Sequence, residues 1–118
     1  MTDRMIDRTP VPEVAGVIIP WFTPANRPTE NRLQETAGLV EALGCDLAFL
    51  RAEHVRKVNS SVLLSGGILD RLAEDLRAND CTIAVIDGDL TPVQQRNLER
   101  RLEVKVIDRT GLILETFG

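Results

Sequence analysis

Thr82-Ile83-Ala84-Val85-Ile86, Asp87-Gly88-Asp89-Leu90, Thr91-Pro92-Val93-Gln94-Gln95-Arg96-Asn97-Leu98-Glu99-Arg100-Arg101-Leu102 and Val104-Lys105-Val106-Ile107 follow one another with almost no chain between them. The first and last pieces are apolar runs of strand length. Between them Thr91 can cap a helix, Pro92 is pre-set for its first position, and Leu98 and Leu102 supply an inward face. Strand, turn, helix and strand in this succession make a βαβ unit, whose crossover is expected to be right-handed.

The same grammar extends towards the N-terminus. Val14 to Trp21 and Asp46 to Leu50 are further strand-length runs, and three of the four runs are too apolar for a sheet with one wet face. From Thr29, an N-cap followed by Glu30, the residues Leu33, Ala37 and Val40, with Leu39 and Leu43 beside them, form a helical stripe that Gly44 can end. Leu69, Leu72, Ala73 and Leu76 repeat at helical spacing between Gly66-Gly67 and Asn79-Asp80. The pattern predicts a three-layer αβα fold: a mostly parallel four-stranded sheet with helices on both faces, doubly wound and Rossmann-like. Ligands of such sheets bind at the carboxyl edge, here near Trp21 to Pro24, Arg51 to His54, Asp87 to Asp89 and Asp108 to Thr110.

A length of 118 residues suits one domain, expected over 14–109 after an extension at 1–13. At 110–118, Leu112, Ile113, Leu114 and Phe117 read as the start of a truncated connector, or as a short closing helix. Acidic residues outnumber basic ones by 18 to 14, so a net charge of −4 argues against wrapping of nucleic acid through bulk electrostatics. RNA contact requires a local basic patch, and no DNA partner is expected. The start has no apolar signal region and no run is long enough to span a membrane, so a cytoplasmic location and no membrane partner are expected. Cys45 and Cys81 lie outside any metal spacing and read as buried reduced thiols.

Several groups bear chemistry. Asp87, Asp89 and Asp108 could hold a metal, but acids after strands more often close Asx turns or cap helices, and no metal ligand is assigned. The loop Pro20-Trp21-Phe22-Thr23-Pro24, which lacks a carboxylate, argues against a receiver-type signalling domain. Ser65-Gly66-Gly67 is a possible anion-binding turn before a helix, yet no Walker loop exists, so the chain cannot be a P-loop GTPase by itself. No catalytic residue is assigned. His54, the single histidine, is expected in a solvated loop. Arg51, Arg56 and Lys57 make that loop basic, and Gln94, Gln95, Arg96, Asn97, Arg100 and Arg101 give the third helix an outer face suited to RNA.

The block Leu90-Thr91-Pro92-Val93-Gln94-Gln95-Arg96-Asn97-Leu98-Glu99, followed by Val106-Ile107-Asp108-Arg109-Thr110-Gly111-Leu112-Ile113-Leu114, resembles the N-terminal domain of HflX-type GTPases. Glu35-Thr36-Ala37-Gly38-Leu39 and Val55-Arg56-Lys57 match more loosely. The resemblance spans about 16–118. It implies an α/β domain that precedes a pair of long helices and a GTPase domain using GTP and magnesium, neither domain being present here; no cofactor is implied for this chain itself. It also implies a family that acts on the large (50S) ribosomal subunit and its rRNA, and through it on the 70S ribosome. Where the family reads Gly-x-Gly-Lys, this chain has Ser65-Gly66-Gly67-Ile68, which weakens nucleotide binding at that turn.

The expected function is therefore a noncatalytic ribosome- and RNA-binding module, with Arg51, Arg56, Lys57, Gln95, Arg96, Asn97, Arg100, Arg101 and Arg109 as candidate contacts. The alternative is a small-ligand or nucleotide-binding domain that uses the carboxyl-edge loops and Ser65-Gly66-Gly67. A third reading is a structural domain that positions the GTPase.

Overall fold

Parallel strands in the order β2-β1-β3-β4 form the centre of the computed structural model, which describes residues 12–117. The strands are β1 (Val14–Trp21), β2 (Asp46–His54), β3 (Ile83–Ile86) and β4 (Lys105–Ile107). The helices are α1 (Glu30–Ala42), α2 (Gly66–Ala78), α3 (Pro92–Leu102) and α4 (Arg109–Phe117), with a 3-10 turn at Pro24–Asn26. The predicted doubly wound α/β architecture is what forms.

Side chains of β1 and β3 alternate between two cores, as the pleat of a strand requires. Ala15, Val17, Ile83 and Val85 join Val40 of α1 and Leu112 of α4 on one face. Ile18, Ala84 and Ile86 join Leu72 and Leu76 of α2 and Leu98 and Leu102 of α3 on the other. Both faces are thus apolar, which explains the unbroken hydrophobic runs. Cys45 and Cys81 are both buried, one in each core. Burial and the nearby Asp80 push the Cys81 thiol up.

Caps fix the helix boundaries. Thr29 Oγ1 accepts the Arg32 amide at 3.2 Å, while Thr91 and Gln94 form a reciprocal capping box at the start of α3. Gly44, at φ +86°, takes the left-handed conformation that closes α1. Glu103 ends α3 in the same region at φ +58° without glycine's freedom.

One expectation changes. Strand β2 continues past Leu50 to His54, so Arg51 and His54 lie in the sheet instead of a solvated loop. An edge strand tolerates this because only one side is paired. The segment after Ile107 is helix α4, with Leu112 wholly buried. Residues 1–11 of the expected N-terminal extension lie outside the described residues, as do residue 118 and the side chains of residues 115–117, Phe117 among them.

Gly16 lies where the β1–β2 register shifts, and a Cβ there would overlap the Phe49 ring and Leu76. Gly16→Val is expected to destabilise the domain by about 1–3 kcal/mol, read as a lower urea midpoint with unchanged slope.

Candidate functional site

Pro20 opens the crevice at the carboxyl edge. Asp87 donates its amide to the Ile18 carbonyl at 2.9 Å, so even-numbered β1 residues aim their backbone groups at β3. Pro20 is the next such residue and has no amide to offer, and the β1–β3 ladder stops at Ile18–Ile86. Beyond it β1 pairs only with β2, reaching Trp21–His54. The gap lies between strands whose crossovers leave in opposite directions, the switch point where α/β sheets bind ligands. Its cavity is about 420 Å³ and is lined by Trp21, Phe22, Asn26, Arg32, Asp87 and Arg109, among others.

Asp87 organises this end of the sheet. Its side chain is fully buried, whereas those of Arg32 and Arg109 retain 35% and 32% exposure and so present outer N–H groups to the crevice. Arg32 reaches the carboxylate through Nε at 3.2 Å and Nη2 at 3.1 Å. Thr36 donates its hydroxyl at 2.5 Å and Arg109 its Nη1 at 2.7 Å. Burial alone would raise the Asp87 carboxyl, but the hydrogen bonds from Arg32, Thr36 and Arg109, with the charge of Arg32, outweigh it and hold the group below the ordinary range. Arg109 also bonds its amide to the Gly88 carbonyl at 3.2 Å, anchoring α4 to the turn after β3.

Aromatic groups form the other wall. Trp21 stacks on His54 with centroids 3.9 Å apart and planes 5° from parallel, and the Arg27 guanidinium stands 5.6 Å from the Trp21 ring. Phe22 beside it is 39% exposed.

Many of the sequence-predicted contacts have structural partners. Gln95 donates to the Val106 carbonyl at 2.9 Å and Asn97 to the Ser61 carbonyl at 3.0 Å, stitching α3 to β4 and to the preceding loop. Arg101 pairs with Asp70, and Arg51 with Glu53 and Asp75 while lying over Phe49. Arg56, Lys57, Arg96 and Arg100 are exposed and form no ion pair with a described residue. Arg109 belongs to the crevice, away from that group. Ser65 occupies the N-cap of α2 without a side-chain cap bond, and Gly66 and Gly67 are exposed. Among the carboxyl-edge acids, Asp108 caps α4 through the Gly111 amide, as expected, whereas Asp87 is an ion-pair centre. Among the described residues no His, Cys, Asp and Glu cluster has metal-binding geometry. A separate groove of about 530 Å³, lined by Leu76, Cys81 and Leu102 among others, opens at the amino edge.

A family model described as GTP-binding GTPase N-terminal matches residues 30–118, which include Arg32, Thr36, Asp87 and Arg109. The chain belongs to this family. GTPase HflX of Magnetococcus marinus is 36% identical over 89 residues, covering 75% of the chain and 21% of that relative. GTPase HflX of Escherichia coli is 34% identical over 114 residues, covering 97% and 26%. This HflX-type N-terminal domain therefore spans only about a quarter of the length of such relatives. A GTP-binding protein from the hyperthermophilic archaeon Sulfolobus solfataricus, solved with GDP, matches at TM-score 0.66 and 19% identity, over 89% of this chain and 30% of that one. The likeness is one of fold.

Asp87→Asn would leave two guanidiniums without their shared counter-charge. A loss of about 3 kcal/mol is expected, at the low end for broken buried pairs because both arginines reach water. Since the folded carboxyl lies below its unfolded value of about 3.9, its contribution is present above that pH and is lost as pH falls through the folded value. Urea titrations below pH 4 should therefore show a shallower acid slope in Asp87→Asn than in wild type.

Proposed function

We propose that this domain is the noncatalytic, ribosome-facing RNA-binding module of an HflX-like GTPase that acts on the large ribosomal subunit in the cytoplasm. In the longer protein, the chain from Thr110 leads towards helical and GTPase domains, and GTP with magnesium belongs to the latter. Family membership supports the GTPase context. The observation that carries the ribosome reading is the exposed basic group Arg56, Lys57, Arg96 and Arg100.

These cations belong to two segments held together by side-chain amides. Gln94 donates to the Ser60 carbonyl at 3.3 Å and Asn97 to the Ser61 carbonyl at 3.0 Å, so the basic loop is tied to α3. Lysine and arginine that pair with no described residue can accept phosphates without first breaking an ion pair to one. On a chain of net charge −4, such a local patch is the feature able to meet rRNA. Among the described residues no helix is long and apolar enough to cross a membrane.

Co-sedimentation with isolated large subunits across a salt series tests this reading, with small subunits for comparison. Binding should be selective for the large subunit and weaken steeply with salt. Replacing Arg96 and Arg100 by Glu should lower the slope of log affinity against log salt by about 1–2, as expected for two lost phosphate contacts. Absence of binding at low salt, or an unchanged slope in the variant, refutes the assignment.

A further inference from the structure

We infer that the crevice between β1 and β3 is a receptor for one unpaired RNA nucleotide, the phosphate meeting Arg32 and Arg109 and the base lying against Phe22 beside Trp21. This rests on the RNA-binding reading above and moves the selective contact away from the basic patch on α3.

The cavity has the composition that such a ligand needs. The chain contains three phenylalanines, one tryptophan and no tyrosine, and two of these four aromatics stand consecutively at this mouth. Phe22 is 39% exposed, so core packing does not account for it. Flat apolar faces next to guanidinium groups are what single-stranded RNA uses, because every base presents a π-face while phosphates demand cationic forks. Arg32 and Arg109 are oriented by Asp87, which occupies Nε and Nη2 of the first and Nη1 of the second. Their remaining N–H groups are therefore fixed before a ligand arrives, and less order is lost on binding.

Charge limits the ligand to a single phosphate. Arg27, Arg32 and Arg109 are balanced by buried Asp87, by Asp89 in the lining and by Glu35, 4.0 Å from Arg109. The site can release Glu35 to accept one anion, but it repels a phosphate run such as a duplex backbone. An unpaired nucleotide in a loop or bulge fits this balance.

Trp21 is the sole tryptophan, so its emission reports the site directly. The purified chain should show a saturable change in tryptophan fluorescence on titration with a short single-stranded oligoadenylate RNA at low salt. Phe22→Ala should weaken that binding about fivefold or more, the effect of losing one stacked base. Asp89→Asn should strengthen it by removing an opposing charge. Adenosine monophosphate, whose terminal phosphate approaches a double negative charge where the RNA diester carries one, should bind more weakly than the RNA in a site that accepts a single negative charge, and inorganic phosphate should leave the emission unchanged. The inference is overturned by a flat titration, by equal affinity in Phe22→Ala, or by monophosphate binding as tightly as the RNA, which would assign the crevice to a free nucleotide. Large-subunit sedimentation separates the two proposals. Sedimentation without an RNA response defeats the crevice alone, whereas an RNA response without sedimentation defeats the ribosome reading alone.

Discussion

A buried carboxylate at the end of β3 holds the carboxyl edge of this domain together. Asp87 has a fully buried side chain, and the bonds from Arg32, Thr36 and Arg109 are what favour its ionised form there. Those partners come from α1 and from the first residue of α4. One charge therefore fixes the relative placement of two helices and the last strand turn. Hydrophobic contact is non-directional and would let α4 slide on the sheet; bonds to a carboxylate give its start a position.

Topology makes the same point useful for binding. The order β2-β1-β3-β4 places the winding reversal beside Asp87, and Pro20 keeps β1 from closing against the chain beyond β3. Gly88 completes the opening, since a Cβ there would come within 3.2 Å of the Pro20 ring. Chain connectivity, a missing amide and a small residue together leave a cavity lined by both charge and aromatic surface.

Much of this fold is legible in residue order because each element announces its ends. Strand β1 and the caps Thr29 and Thr91 stand where pattern and capping chemistry put them. Strand β2 is longer than its apolar run because an edge strand can continue through Arg51 and Glu53, whose charges neutralise each other at 2.8 Å. The crevice was only half readable. Asp87, Trp21 and Arg109 lie in the predicted edge loops, but Arg32 and Thr36 are 55 and 51 positions from their carboxylate and look like ordinary helix residues. One signal was available: Thr36 sits at helical spacing between Leu33 and Val40, a polar group on an apolar stripe. Within α3 the amides of Gln94, Gln95 and Asn97 were harder to read, because an amide that reaches a distant carbonyl has the same sequence signature as one that faces solvent.

The bonds from Gln94 and Asn97 to the carbonyls of Ser60 and Ser61 have a mechanical meaning as well. A surface loop normally fluctuates independently of its neighbours, and its charges average over many positions. Here Asn59 turns the chain back on itself through an antiparallel bridge to Leu63, and the amides of α3 hold that turn from the side. Loop and helix are thereby tied into one unit, and the spacing between the backbone positions that carry Arg56, Lys57, Arg96 and Arg100 is a property of the fold.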